Sequence, residues 1–403
     1  MTQIRQPNNS ARPSDETARV NLTAAQRLLS LGQDSDAERA FVASATVPGI
    51  DTAALYEGAA QAIRNQGRVT EAMRLLDLGL ARFPGHAGLR FIRSLMLLGL
   101  GSFREGWPEY EIRLKTPQRC YLPRAVTWPR WNGPEKPRNN KKLLIWSEQG
   151  FGDEIMFASL IPLIMNDETI TFECSRDTAP LFRRSFPNVR VFPVELNGAM
   201  PEALHGEAFD YECPLASLPL ALGLDRPPEP HQWLAWDHDM GMRIRQDLNA
   251  VAAGRRIVGV SWRGGTPVTR QVSRSLTLPQ LAPILSNSDM LFVAIQHDML
   301  TAELQSATPS FCTWPHLVKQ LDSLAALIGA CDEIVTVCGT NVHLAGALGK
   351  TVKVLAPLAP EWRYGFSGDF MPWYPNVKVF RQEKYGEWGP VIARVANELA
   401  AHA

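Results

Sequence analysis

The stretch Lys142–Met165, KLLIWSEQGFGDEIMFASLIPLIM, decides the fold. Leu143, Leu144, Ile145 and Trp146 form a short apolar run, the pattern of a parallel strand covered on both faces. Gly150 and Gly152, just after Gln149, let the chain turn sharply and approach a ligand closely. Asp153 then opens a helix whose apolar positions, Ile155, Phe157, Leu160, Ile161 and Ile164, recur at helical spacing. A carboxylate at such a turn stands at the carboxyl end of a sheet, where open α/β folds bind ligands. The other reading of Asp153 is a plain helix N-cap.

Beyond this stretch, strands and helices alternate twice. Leu143–Ser147, Thr169–Glu173, Val189–Phe192 and Phe209–Glu212 read as strands, and DRPPEPHQWLAWD at Asp225–Asp237 breaks the pattern. It restarts with Ile257–Trp262, Leu291–Gln296, Ile334–Val337 and Val352–Ala356 as strands, with helices between them. This predicts two Rossmann-like halves, residues 143–240 and 241–403, with a cleft between them where a small ligand binds. Asp237-His238-Asp239 falls in the break and reads as linker.

Before the sheets, residues 20–118 show helical periodicity that repeats. Gly67, Glu71 and Ala72 recur as Gly101, Glu105 and Gly106, 34 residues later, and Gly32 and Ala37 precede Gly67 and Ala72 by 35. Paired helices at this period resemble the tetratricopeptide repeat, and a plain helical bundle is the alternative. Residues 1–19 are polar, the composition of a disordered tail. Residues 119–142 form a linker rich in Pro, with Trp128 and Trp131 expected to pin it against a domain.

Composition excludes several classes. Lys plus Arg and Asp plus Glu both number 41, which argues against a general nucleic-acid binder. None of the six cysteines forms a C-x-x-C pair, so reduced thiols in a cytoplasmic protein are expected. No apolar signal segment and no transmembrane stretch is visible.

Three further motifs carry chemistry. In VGVSWRGG at 258–265 a strand runs into a glycine turn holding Ser261, Trp262 and Arg263, with Arg270 and Arg274 following. Guanidinium groups beside such a turn suit a phosphate or diphosphate, although ordinary surface arginines give the same pattern. In VTVCGTNVHLAGALG at 335–349, Gly339, Thr340 and Asn341 sit at a helix start that favours a phosphate, with His343 in the first turn. His343 could donate to that anion or simply be a buried core histidine. Trp362 and Arg363 follow the last strand's carboxyl end as candidates for ligand contact, whereas Trp373 and Tyr374 read as closing the domain. A dinucleotide fingerprint would need glycine where Ile155 stands, which weakens a nicotinamide reading even with Glu173 near the ribose position.

Taken in order, EQGFGDEIMF, VGVSWRGG…RSLTL, FVAIQ, TVCGTNVHLAGALGKTVKVL and WR…WYPNVKVFRQ resemble bacterial tetratricopeptide-repeat proteins with a C-terminal glycosyltransferase domain. That domain is similar to the ADP-heptose:lipopolysaccharide heptosyltransferase family. The resemblance implies α-helical repeats followed by an α/β GT-B fold, two Rossmann-like domains facing a cleft. It implies inverting, metal-independent transfer from a nucleotide-sugar donor to a hydroxyl, with no cofactor. On it, Asp153 is the general base, Gln149, Gly150 and Gly152 shape its turn, and Ser261 and Arg274 hold the donor diphosphate, with Arg263 as an extra partner. Gln296 falls near the donor ribose, and Gly339, Thr340, Asn341 and His343 form the donor loop and helix start. Trp262 joins Trp362 and Arg363 as a further contact. The family's Asp-Thr-Gly run is replaced here by Cys338-Gly339-Thr340, so ADP-heptose specificity does not carry over. The repeats would recruit the acceptor, a protein such as a flagellin or a surface glycan. The alternative is a non-catalytic repeat adaptor with a degenerate transferase-like domain.

Overall fold

The computed structural model describes residues 13–46, 52–116, 127–133, 141–165, 169–195, 204, 206–228, 232–266, 270–304 and 311–401. It divides into two compact units, Met1–Arg93 and Ser94–Ala403.

The first unit is helical. It holds α1 (Pro13–Ser30), α2 (Asp34–Ala45), α3 (Ala53–Asn65), α4 (Val69–Arg82) and the first half of α5 (Ala87–Gly99). α1 begins inside the stretch expected to be a disordered tail, and residues 1–12 lie outside the described residues. Phe41, Ala25, Ala37, Ala59 and Ala62 make its core. A buried hydrogen bond from Asn65 to Asp34, 2.7 Å long, ties α3 to the start of α2.

The spacing of Gly32, Gly67 and Gly101 has a structural meaning. Each has positive φ (74°, 82° and 81°) in the turn between two helices. Each turn closes the same way: the residue after the glycine donates to a carbonyl five residues back, as in Gln33 to Leu28, Arg68 to Ile63 and Ser102 to Leu97. This is the left-handed helix stop that glycine adopts without penalty. Three helix–turn–helix hairpins therefore follow at the period read from sequence.

The second unit opens with the rest of α5 and α6 (Phe103–Tyr110), continued by a 3₁₀ turn, Glu111–Lys115. The sequence reading placed these residues with the repeats. Here they belong to the unit that holds the sheets, because Trp107, Tyr110 and Arg113 are buried against it. Trp131 is buried and its N–H donates to the Glu212 carbonyl (2.9 Å), while Trp128 meets Phe209 edge-on. The expected pinning of the linker is thus seen at 127–133; residues 117–126 and 134–140, with Cys120, Pro123, Pro134 and Pro137, lie outside the described residues.

The first sheet runs β1 (Lys142–Trp146), α7 (Phe151–Ala158), β2 (Thr169–Ser175), α8 (Ala179–Ser185), β3 (Arg190–Val194), β4 (Tyr211–Pro214) and the short α9 (Leu218–Ala221). Its order is β3-β2-β1-β4, with every pair parallel. β1 is central and apolar throughout its buried length, and Leu144 lies opposite both Thr171 and Glu212. The next helix, α10 (His238–Ala252), starts where the sequence reading placed linker. Asp237 is its N-cap and accepts from the Met240 N–H at 2.9 Å.

The second sheet contains β5 (Arg256–Val260), α11 (Ala282–Leu285), β6 (Met290–Ala294), α12 (Thr301–Leu304), β7 (Phe311–Thr313), α13 (Leu321–Ala330) and β8 (Glu333–Val337). It continues through α14 (Thr340–Ala347), β9 (Thr351–Ala356), β10 (Phe370–Met371), β11 (Tyr374–Arg381) and α15 (Gly389–Ala401). The order is β10-β11-β9-β8-β5-β6-β7, parallel except for the β10–β11 edge. In each sheet the first strand has neighbours on both sides, so the chain reverses its direction of growth there. That is the place where an α/β sheet leaves a crevice beyond its strand ends. No helix among the described residues is long and apolar enough to cross a membrane. Of the five cysteines among the described residues, all are free thiols and four are buried.

Candidate active site

Asp153 stands in the first turn of α7, after β1 and the Ser147–Gly150 turn. It does not cap the helix: the N-cap is Gly150, with extended backbone and no side-chain cap. Its carboxylate pairs instead with Arg363, whose Nε and Nη2 both reach Oδ1. Among the described residues Oδ2 has no hydrogen-bond partner, and the side chain is 17% exposed. Burial pushes the Asp153 carboxyl above its ordinary range, and the Arg363 guanidinium pulls it part of the way back. One oxygen is held and the other is open, the arrangement of a fixed proton acceptor.

α7 lies directly against α14. A Cβ on Gly152 would sit 2.9 Å from His343 Cδ2, so only glycine allows this approach. His343 is buried, and its Nδ1 has no hydrogen-bond partner. Burial, reinforced by Arg363 and Arg274, drives its pKa down to about 3. The imidazole is therefore neutral at physiological pH and brings no positive charge to an anion.

The other predicted residues fall into two groups. One braces the carboxyl end of the second sheet. Asn341 Nδ2 donates to Ser261 Oγ (3.1 Å) and to the Ile295 carbonyl (3.0 Å), and Ser261 Oγ lies 2.5 Å from Thr336 Oγ1. Gln296 is fully buried; its Oε1 accepts from the N–H groups of Trp262 (3.0 Å) and Arg263 (2.9 Å), and Nε2 donates to Asp298. Gly339 donates its N–H to the Tyr364 hydroxyl at 3.0 Å. Trp262 is a core residue whose Nε1 donates to Glu303 (2.8 Å). Trp362 is likewise buried, among Trp107, Tyr110 and Phe157.

The second group supplies charge. Arg274 is 9% exposed and lies over the turn after β5, its Nη2 only 2.1 Å from where a Cβ on Gly265 would stand. Glu361 is 4.0 Å from its Nη1. Thr340 and Asn341 start α14 and are half-buried. Arg263 is already neutralised by Glu303, with Nη2–Oε2 at 2.9 Å, and by Asp298 at 3.5 Å. Trp373, read as a closing residue, donates from Nε1 to the Met156 carbonyl and Ser159 Oγ, both at 3.1 Å.

No protein-family model matches the chain. Protein FlbA of Caulobacter vibrioides is 29% identical over 376 residues, which is 87% of this chain and 61% of that protein. The chain thus spans about three fifths of the length of this curated relative. Among solved structures, the glycosyl transferase family 9 protein from Veillonella parvula aligns over 64% of this chain and 91% of its own, at 15% identity and a TM-score of 0.43. The ADP-heptose LPS heptosyltransferase II of E. coli aligns over 64% and 98%, at 17% identity and a TM-score of 0.44.

Four residues around Asp153 were not singled out by the sequence reading. Arg113 is wholly buried; its Nε and Nη2 bind Glu148 Oε1 at 3.0 and 2.9 Å, and Nη2 also reaches Ser217 Oγ at 2.7 Å. Burial pushes the Glu148 carboxyl up, with Arg113 opposing. Tyr110 meets Gln149. Glu154, beside Asp153, is buried with its pKa raised to about 7, and it accepts from the Ser175 N–H (2.8 Å) and the Thr178 hydroxyl (2.5 Å). Nothing local in the sequence marks Arg113 or Glu148, because their neighbours EYEIRLK and WSEQGFGDE are already polar and the two residues lie 35 apart.

Proposed function

We propose that the chain is an inverting glycosyltransferase of GT-B organisation, transferring a sugar from a nucleotide-sugar donor to an acceptor hydroxyl. The observation that carries this reading is Asp153, a carboxylate with one oxygen fixed by Arg363 and the other open. It stands at the carboxyl end of β1, within electrostatic reach of Arg274.

In this reading the acceptor O–H gives its proton to Asp153 Oδ2. The freed oxygen attacks the anomeric carbon from the face opposite the donor's leaving group. The bond to the diphosphate breaks, and its electron pair departs with the nucleoside diphosphate. Arg274 and the N–H groups opening α14 stabilise that charge without a metal. A carboxyl raised by burial suits a base working near neutral pH. Ser261, Asn341 and Gln296 act by holding the turns that face the donor. The three helical hairpins, read as tetratricopeptide repeats, present a polypeptide or surface-glycan acceptor. One observation favours the non-catalytic adaptor: Arg263 is neutralised by Glu303 and Asp298.

The test is a thermal-shift screen of the full chain against UDP, GDP, ADP, CMP and NAD, with and without magnesium. Stabilisation by one nucleoside diphosphate, independent of magnesium, is expected. Asp153→Asn should keep that binding and lose transfer by about two powers of ten or more. Unchanged turnover in the variant removes the base, and no shift with any nucleotide favours the adaptor.

A further inference from the structure

One residue outside both sheets touches both arms that hold the site acid. Tyr110 ends α6. Its hydroxyl lies 3.1 Å from Gln149 Oε1 and 2.8 Å from Gln149 Nε2, in the turn that leads through Gly150 into α7. Its ring meets Trp362 edge-on, with centroids 6.1 Å apart. Trp362 in turn carries the Arg363 guanidinium 5.1 Å from its ring centroid, and Arg363 grips Asp153 Oδ1. The Arg113 guanidinium lies over the Tyr110 ring, 4.8 Å from its centroid, and it also binds Glu148 in the same turn. One path from Tyr110 sets the backbone that presents Asp153, and the other sets the cation that orients its carboxylate. A ring needed only to fill the aromatic cluster would explain the second contact and not the first.

We propose that Tyr110 is a positioning residue for Asp153, acting through Gln149 on the turn and through Trp362 on Arg363. This rests on the reading of Asp153 as the site's base. The helical segment ahead of the sheets then forms part of the active site, though it touches no reacting atom.

The test reads the carboxylate itself, in full chain labelled with 13C at the aspartate side-chain carboxyl. Asp153→Asn assigns the Asp153 signal. Arg363→Gln should move its titration midpoint up by about one pH unit or more, since a contacting opposite charge holds a carboxyl down by that much. Tyr110→Leu should move it the same way by less, and the double variant should fall short of the sum of the two single shifts. An unchanged midpoint in folded Tyr110→Leu, or full additivity, overturns the proposal. Tyr110→Phe loses only the hydroxyl contact and guards against a variant that does not fold. It should speed amide exchange across residues 147–153 severalfold while the seven-stranded sheet stays protected; unchanged exchange in the turn also overturns the proposal. These readouts do not depend on turnover. If Asp153→Asn keeps full transfer, the base assignment fails while the coupling through Tyr110 stands.

Discussion

Arg263 and Arg274 both follow β5, and their surroundings separate them. Arg263 is held by Glu303 and Asp298, and its charge is balanced before any ligand arrives. Arg274 lies over the Gly265 turn, with Glu361 Oε1 4.0 Å from its Nη1. Arg274→Ala should therefore weaken nucleoside diphosphate binding by about tenfold to a hundredfold, the range of one charge-assisted hydrogen bond. Arg263→Ala should change affinity far less and act through the stability of the Trp262–Glu303 contact. Titration calorimetry with the diphosphate that stabilises the wild type checks both, and equal losses would contradict the distinction. The difference was not legible in sequence because Glu303 lies 40 residues from Arg263. Tyr110 and Gln149, 39 residues apart, and Arg113 and Glu148, 35 apart, escaped for the same reason. The place of Asp153, between β1 and α7, was legible because its strand, glycine turn and helix occupy one continuous stretch.

Among the elements, those whose signal is local were read correctly, the edge strands β3 and β4 included, and very short strands and a helix hidden by its cap were not. Of the central strands, β6 is apolar throughout and β1 and β5 are apolar after their first residue, while β8 and β9 keep enough apolar residues to be read although Thr336 and Lys353 interrupt them. β7 is three residues long and β10 two, too short for a periodic signature. α10 was hidden by its own start, because Asp237-His238-Asp239 has the composition of a turn and works as a helix cap. Asp237→Ala should then cost about 1 kcal/mol, the usual loss when a capping carboxylate is removed. Asp239→Ala, one turn position later and without the cap bond, should cost less. Urea denaturation midpoints at equal m-value compare the two, and equal effects would show that the Asp237 cap does not hold the helix start.

For the whole molecule, acidity should act through two buried groups with opposite signs. His343 titrates near 6.5 when unfolded and at about 3 in the fold, because burial next to two arginines disfavours its cation. Between those values the unfolded chain binds the extra proton, so stability is full above about pH 6.5 and drains as pH falls toward 3. Glu154 runs the other way. Its pKa is raised from 4.5 to about 7 by burial, so the folded chain holds the proton longer. Its contribution is present below about pH 4.5 and is lost as pH rises through 7. Between pH 4.5 and 6.5 the two slopes oppose each other and stability should be flat. Outside that window each group acts alone, His343 on the acid limb and Glu154 on the neutral limb. Glu154→Gln should flatten the fall between pH 6.5 and 7.5 and leave the acid limb in place, while His343→Gln should flatten the limb between pH 3 and 4.5. Unfolding free energies measured at half-unit pH steps for the three proteins decide this. A wild-type acid limb that survives His343→Gln undiminished would assign it to other groups, the next to test being Glu303, whose carboxyl burial raises but the hydrogen bond from Arg263 brings below its ordinary range.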